Sequence, residues 1–156
     1  MFKALLSHEN GRDMMRLLVS ADIHLGSPIR SVALRNPDLD ALLDHKAHGD
    51  LGPNVHVLHK GTPTVEVGGT AFHGLSFDAA HVAKSFLPDY PRPVPGKRNV
   101  GLMHTSLDGA QGHDPYAPCA ERDLMAYGYD LWCLGHIHAP FERVDGPVLA
   151  IMPGIP

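Results

Sequence analysis

Three short apolar runs constrain this chain most, because each leads directly into histidine. Leu17-Leu18-Val19-Ser20-Ala21 precedes Asp22-Ile23-His24, Asn99-Val100-Gly101-Leu102-Met103 precedes His104, and Asp130-Leu131-Trp132-Cys133-Leu134 precedes Gly135-His136-Ile137-His138. Runs this brief, bounded by polar and glycine residues, read as buried strands rather than helices. In open α/β sheets the ligand crevice lies beyond the carboxyl ends of the strands. The sequence therefore predicts that several strand ends deliver imidazole and carboxylate to one crevice.

The intervening segments fit such a sheet. Glycine and proline number 16 and 14 in 156 residues, so the elements are short. Asn36 and Pro37 open a helix that carries Leu39, Leu42 and Leu43 and ends near His45 and Lys46. Residues 47–54 read as loop, and Val55–His59 alternates like a strand. Thr64–Val67, Gly68-Gly69 and Thr70–His73 form a hairpin signal. Asp78 caps a predicted helix through Phe86, which Pro88 stops, and the proline-rich stretch 88–97 is a stiff connection. A polar loop over 107–118 leads to a helix over about 119–127, closed by Gly128. Pro147–Met152 reads as a last strand. Strands alternating with helices predict an α/β layered domain.

Composition narrows the class. The length suits one domain with a core that needs no disulfide staple. The two cysteines, Cys119 and Cys133, make no disulfide framework, so a reducing, cytoplasmic setting is expected. With 13 Lys and Arg against 17 Asp and Glu, the net charge of −4 excludes a strongly basic nucleic-acid-coating protein. Nucleic acid remains open as a substrate, because bound metal ions supply positive charge. No apolar run approaches a membrane span, so no membrane partner is expected. Met14 and Met15 stand just before the first apolar run, so residues 1–13 read as an N-terminal extension and 14–156 as the domain.

The chain has 12 histidines, and position separates them. On extended backbone, residues two apart face the same side. Asp22 with His24, and His136 with His138, are thereby expected to face the crevice together, with His104 beside them. Gly135 allows close approach of backbone to a metal or phosphate. Imidazole with carboxylate suits Mn²⁺, Fe²⁺ or Zn²⁺. His56, His59 and His73 read as strand-surface groups, and Trp132 and Cys133 as core. Cys119 has no neighbouring basic motif and no case as a nucleophile. His113 and Asp114, on the polar loop, are candidates for bordering a substrate cleft.

Arg16-Leu-Leu-Val-Ser-Ala-Asp22-Ile-His24-Leu-Gly-Ser-Pro resembles the first motif of the calcineurin-like metallophosphoesterases, and most closely their bacterial SbcD-type DNA repair exonuclease branch. Asn54-Val-His-Val-Leu, Phe72-His-Gly-Leu-Ser-Phe, Gly101-Leu-Met-His104-Thr-Ser-Leu, Gly112-His-Asp-Pro-Tyr-Ala-Pro-Cys119 and Gly135-His136-Ile-His138 follow in that family's order. The resemblance covers about residues 16–36 and 54–156. It implies a β-sandwich flanked by helices, with Asp22, His24 and His138 on a first metal and His104 and His136 on a second. It implies hydrolysis of a phosphodiester, in this branch DNA, and a protein partner within an exonuclease complex. Mn²⁺ is the expected metal, with Fe²⁺ or Zn²⁺ as alternatives.

The sequence also departs from that pattern. The family's Gly-Asp-x-x-Asp motif, whose first Asp bridges the metals, survives at most as Gly49-Asp50-Leu51, with Pro53 where the motif continues. No Gly-Asn-His-Asp is present anywhere. The chain reads as internally shortened, missing part of the central sheet, and as ending before the family's DNA-facing capping region. Two divalent ions facing one assured carboxylate repel with little compensation. One ion held by Asp22, His24 and a histidine of the last motif is therefore expected in preference to a pair, with Asp50 as a further candidate ligand. Weak or absent turnover follows. The alternative reading is a non-catalytic metal-binding or interaction module derived from the same fold.

Overall fold

The computed structural model describes the backbone of residues 3–8 and 15–20, and residues 56–77, 82–109 and 116–154 in full. Strand β1 (Lys3–His8) pairs antiparallel with β2 (Met15–Ser20), with Leu5 opposite Leu18. The predicted extension thus contains a strand. The first of the three apolar runs also pairs with that strand, in a two-stranded sheet, rather than with the strands carrying the other histidines.

Those strands lie in a six-stranded sheet of β3 (Thr64–Val67), β4 (Thr70–Gly74), β5 (Arg98–His104), β6 (Leu131–Gly135), β7 (Phe141–Asp145) and β8 (Val148–Met152). Its order is β3-β4-β5-β6-β8-β7. The four inner strands are parallel, and the two edges are antiparallel. Inner parallel strands are covered on both faces, which explains why β5 and β6 read as apolar runs. The predicted hairpin forms, with Gly68 at φ +57 in its turn.

Both faces carry core. On one, Met103, Trp132, Leu134, Ala150 and Met152 pack with Leu87, Tyr90, Leu124 and Tyr129. On the other, Phe72, Val100 and Cys133 pack with Leu58, Leu102, Leu131 and Ile151. Helix α1 (Glu121–Met125) contributes Leu124 to the first cluster. Its Glu121 N–H donates to the Asp108 carboxylate at 2.9 Å, and Gly128 at φ +97 turns the chain toward β6. The six-stranded mixed sheet with few helices fits an α/β fold.

Several local expectations give way to tertiary contacts. The helix expected from Asp78 does not form over its described part, residues 82–86. There the Val82 carbonyl accepts from the Ala117 N–H at 2.6 Å, and the chain enters a 3₁₀ turn at Leu87–Asp89. The strand read at Val55–His59 does not form over residues 56–58: His59 makes an isolated bridge with Thr62, and Leu58 packs on the sheet with its carbonyl accepting from Ser76 Oγ at 2.6 Å. Strand β7 carries charge at three of its five positions, Glu142, Arg143 and Asp145. It gave no apolar run to read, and its pairing with β8 makes it a strand. The helix predicted from Asn36 falls outside the described residues. Among the described residues, no helix is long and apolar enough to cross a membrane.

Candidate metal centre

The register of β5 and β6 builds the centre. His104 is the Cα partner of Gly135, so His104 and His136 emerge side by side at adjacent carboxyl ends. The ladder continues one step beyond them, where the Thr105 N–H donates to the Gly135 carbonyl at 3.1 Å. His136 then adopts φ +101. A residue with a Cβ holds such a conformation at a cost of about 1–3 kcal/mol, and only where its surroundings enforce it. His136 Nδ1 faces His104 Nε2 at 3.2 Å.

This separation tests whether the pair suits a metal. Two nitrogens on one ion, each at about 2.0–2.1 Å, stand roughly 3.0 Å apart at a right angle and 3.4 Å apart at the tetrahedral angle. The observed 3.2 Å lies between those values. Without an ion the same two atoms share one hydrogen bond, so one nitrogen donates and the other accepts. The spacing therefore meets the geometry of two ligands on one divalent ion as well as that of one N–H···N hydrogen bond.

The expected same-side presentation of His136 and His138 rests on extended backbone, and the chain is not extended there. Bends at His136, His138 and Ala139 follow the positive φ, and His138 is exposed while His136 is half-buried. Among the described residues, no three or more His, Cys, Asp or Glu side chains gather into a group able to hold an ion. The structure thus brings His104 and His136 together, with His138 exposed beyond the bend. Asp22, His24, Asp50, His113 and Asp114 lie outside the described residues.

An aromatic ring set encloses the pair, and the sequence reading missed it. Tyr116 stacks on His136, with centroids 5.6 Å apart, and meets His104 edge-on at 5.4 Å. Phe77 meets His104 at 5.9 Å and Tyr116 at 4.8 Å, and Phe86 packs behind it. Burial raises the Tyr116 hydroxyl above its ordinary range, so it stays protonated near neutral pH. The signal lies in the motifs Phe72–Phe77 and Gly112–Cys119, whose aromatic residues Phe77 and Tyr116 stand among the polar candidates.

The remaining polar groups are structural. His73, read as a surface group, is fully buried. Its Nε2 meets Asn99 Oδ1 at 3.0 Å, its Nδ1 meets Thr64 Oγ1 at 2.8 Å, and Tyr129 stacks on its ring at 4.5 Å. The Asn99 oxygen only accepts, so Nε2 carries the proton and Nδ1 accepts from Thr64. Burial lowers the His73 pKa, which keeps it neutral. Burial likewise pushes the Cys119 thiol up to about 11 and Cys133 up to about 12, so neither is a nucleophile at neutral pH.

Comparison with known proteins agrees with the motifs. A 68-residue stretch, 44% of this chain, is 37% identical to the "Uncharacterized metallophosphoesterase YhaO" of Bacillus subtilis (strain 168). That relative is a metallophosphoesterase by name. The matched stretch spans 17% of its length. The similarity agrees with the metallophosphoesterase resemblance carried by the motifs. No family model and no solved structure matches the chain.

Proposed function

We propose that this chain is a metal-dependent phosphodiesterase of the SbcD-type exonuclease lineage, with DNA as its substrate class. The observation that carries the reading is the His104–His136 pair, set by strand register at the spacing of two ligands on one ion. In this reading His104 and His136 hold one divalent ion, and Asp22, His24 and His138 are the ligands that the family resemblance assigns to the other, with Asp50 as a further candidate carboxylate. Mn²⁺ is the expected metal. A bound divalent ion supplies Lewis acidity toward the phosphoryl oxygens.

The chain's own residues do the rest. The two imidazoles present neutral nitrogens, and the proton between them must leave when an ion is taken up. Phe77, Phe86 and Tyr116 shield one side of the pair from water, which strengthens charge interactions there. Turnover is low in this reading, because the sequence offers no Gly-Asn-His-Asp histidine to assist the leaving group. The test is Mn²⁺-dependent hydrolysis of bis(4-nitrophenyl) phosphate and of linear DNA by the full chain, with calorimetric Mn²⁺ titration. Mn²⁺ uptake and slow hydrolysis, both lost in His136→Ala, are expected. Equal Mn²⁺ uptake by wild type and a His104→Ala, His136→Ala double variant overturns the metal assignment. Cleavage of the small diester with no loss of DNA removes DNA as the substrate class.

A further inference from the structure

His136 leaves the strand at φ +101, and its ring is packed against other rings. One side chain contacts both imidazoles in complementary ways. Tyr116 lies nearly parallel to His136, at 26° between planes, and nearly perpendicular to His104, at 89°. Offset-stacked and edge-on arrangements are the two favourable geometries for aromatic rings. A half-turn of the His136 ring would put Cδ2 where Nδ1 now faces His104. To make that turn the imidazole must pass through orientations that the stacked Tyr116 ring obstructs.

Tyr116 is itself held from the strand end that carries His104. Its N–H donates to Ser106 Oγ at 2.8 Å, and its carbonyl accepts from the Ser106 N–H at 2.8 Å. The next carbonyl, of Ala117, accepts from Thr105 Oγ1 at 2.7 Å. Phe77 closes the outer side edge-on at 4.8 Å. Residues 104–106 therefore supply one imidazole and also anchor the ring that braces both.

We propose that Tyr116 is a positioning residue whose ring, not its hydroxyl, fixes the His104 and His136 imidazoles so that their facing nitrogens share one hydrogen bond or one divalent ion. The ion-sharing part rests on the metal reading above, and the hydrogen-bond part does not. Two measurements on the full chain separate them. The first is ¹H–¹⁵N NMR of the metal-free protein, following the slowly exchanging imidazole N–H that disappears in His136→Ala. Wild type and Tyr116→Phe retain this signal, and Tyr116→Leu loses it. The second is calorimetric titration with Zn²⁺ as the probe. Tyr116→Phe binds as wild type does, and Tyr116→Leu binds about 10–100-fold more weakly, the usual effect of losing a group that orients a ligand.

Retention of both the signal and the affinity in Tyr116→Leu overturns the proposal. So does their loss in Tyr116→Phe, which would make the hydroxyl the acting group. If wild type takes up no Zn²⁺, the metal reading fails and the NMR result still decides the positioning role. If Tyr116→Leu does not fold, Ser106→Ala removes the side-chain anchor and leaves the ring. The same imidazole proton then exchanges faster, and unchanged exchange counts against the proposal.

Discussion

Replacing Gly101 with alanine tests the packing that sets the histidine pair. Gly101 is the Cα partner of Trp132, three residues before His104. A methyl there would lie 2.2 Å from Trp132 Cε3 and 2.3 Å from Cζ3. Carbon atoms pack at about 3.5–4.0 Å, so the indole must retreat by more than about 1 Å. It has nowhere to go. Trp132 is fully buried, stacks on Tyr129 at 4.7 Å, meets Tyr90 edge-on at 5.5 Å, and donates Nε1–H to the Leu124 carbonyl at 3.0 Å. Overpacking of this kind costs about 1–3 kcal/mol, and a buried N–H that loses its partner costs about 1–3 kcal/mol more. We expect Gly101→Ala to lose roughly 3 kcal/mol in urea unfolding, read from the midpoint at unchanged slope. Gly69→Ala is the control, since its methyl meets nothing within 4 Å, and it should stay within about 1 kcal/mol of wild type. In a Trp132→Leu background the Gly101→Ala cost should fall by at least about 1 kcal/mol, because the clashing ring is gone. A Gly101→Ala protein within about 0.5 kcal/mol of wild type would refute the placement of Trp132 against β5.

Two further outcomes follow from buried groups. His73 holds its pKa below the ordinary 6.5 when folded, because burial disfavours its charged form. The unfolded chain takes up that proton first as pH falls, so the stability is fully present above about 6.5 and is lost below it. Urea unfolding from pH 7.5 to 5 should show wild type losing stability more steeply than His73→Gln, by at most about 1.4 kcal/mol per pH unit, and parallel curves would contradict the assignment. The Cys119 and Cys133 thiols, at about 11 and about 12, should resist iodoacetamide at pH 7 in the folded protein and react once it is unfolded in urea. Prompt alkylation of either in the native protein, followed by mass spectrometry, would show that its burial is wrong.

Local pattern carried much of the sheet. The Asn99–Met103 and Leu131–Leu134 runs became β5 and β6 because fully covered parallel strands need apolar side chains on both faces. The Gly-Gly hairpin was legible because its turn depends on backbone freedom at one residue, whereas the helix predicted over about 119–127 is shorter, Glu121–Met125, and ends at Ala126 before Gly128. The charge of β7 hid it, since an edge strand is recognised by its partner. His73 was misread because alternation says which side a residue faces and not whether that side is covered.

The sequence alone determined that His104 and His136 each end a buried strand, because strand length and apolar character are local properties of the chain. The resemblance of its motifs to those of metallophosphoesterases was also read from the sequence alone. Only the tertiary structure decided that His104 stands opposite Gly135, because register depends on which side chains interlock across strands. That register brings the two strand ends together, where the imidazoles meet at 3.2 Å, His136 stands at φ +101, and Tyr116 contacts both rings. The same bend left His138 exposed, because the alternation predicted for a Gly-His-x-His end holds only while the chain stays extended.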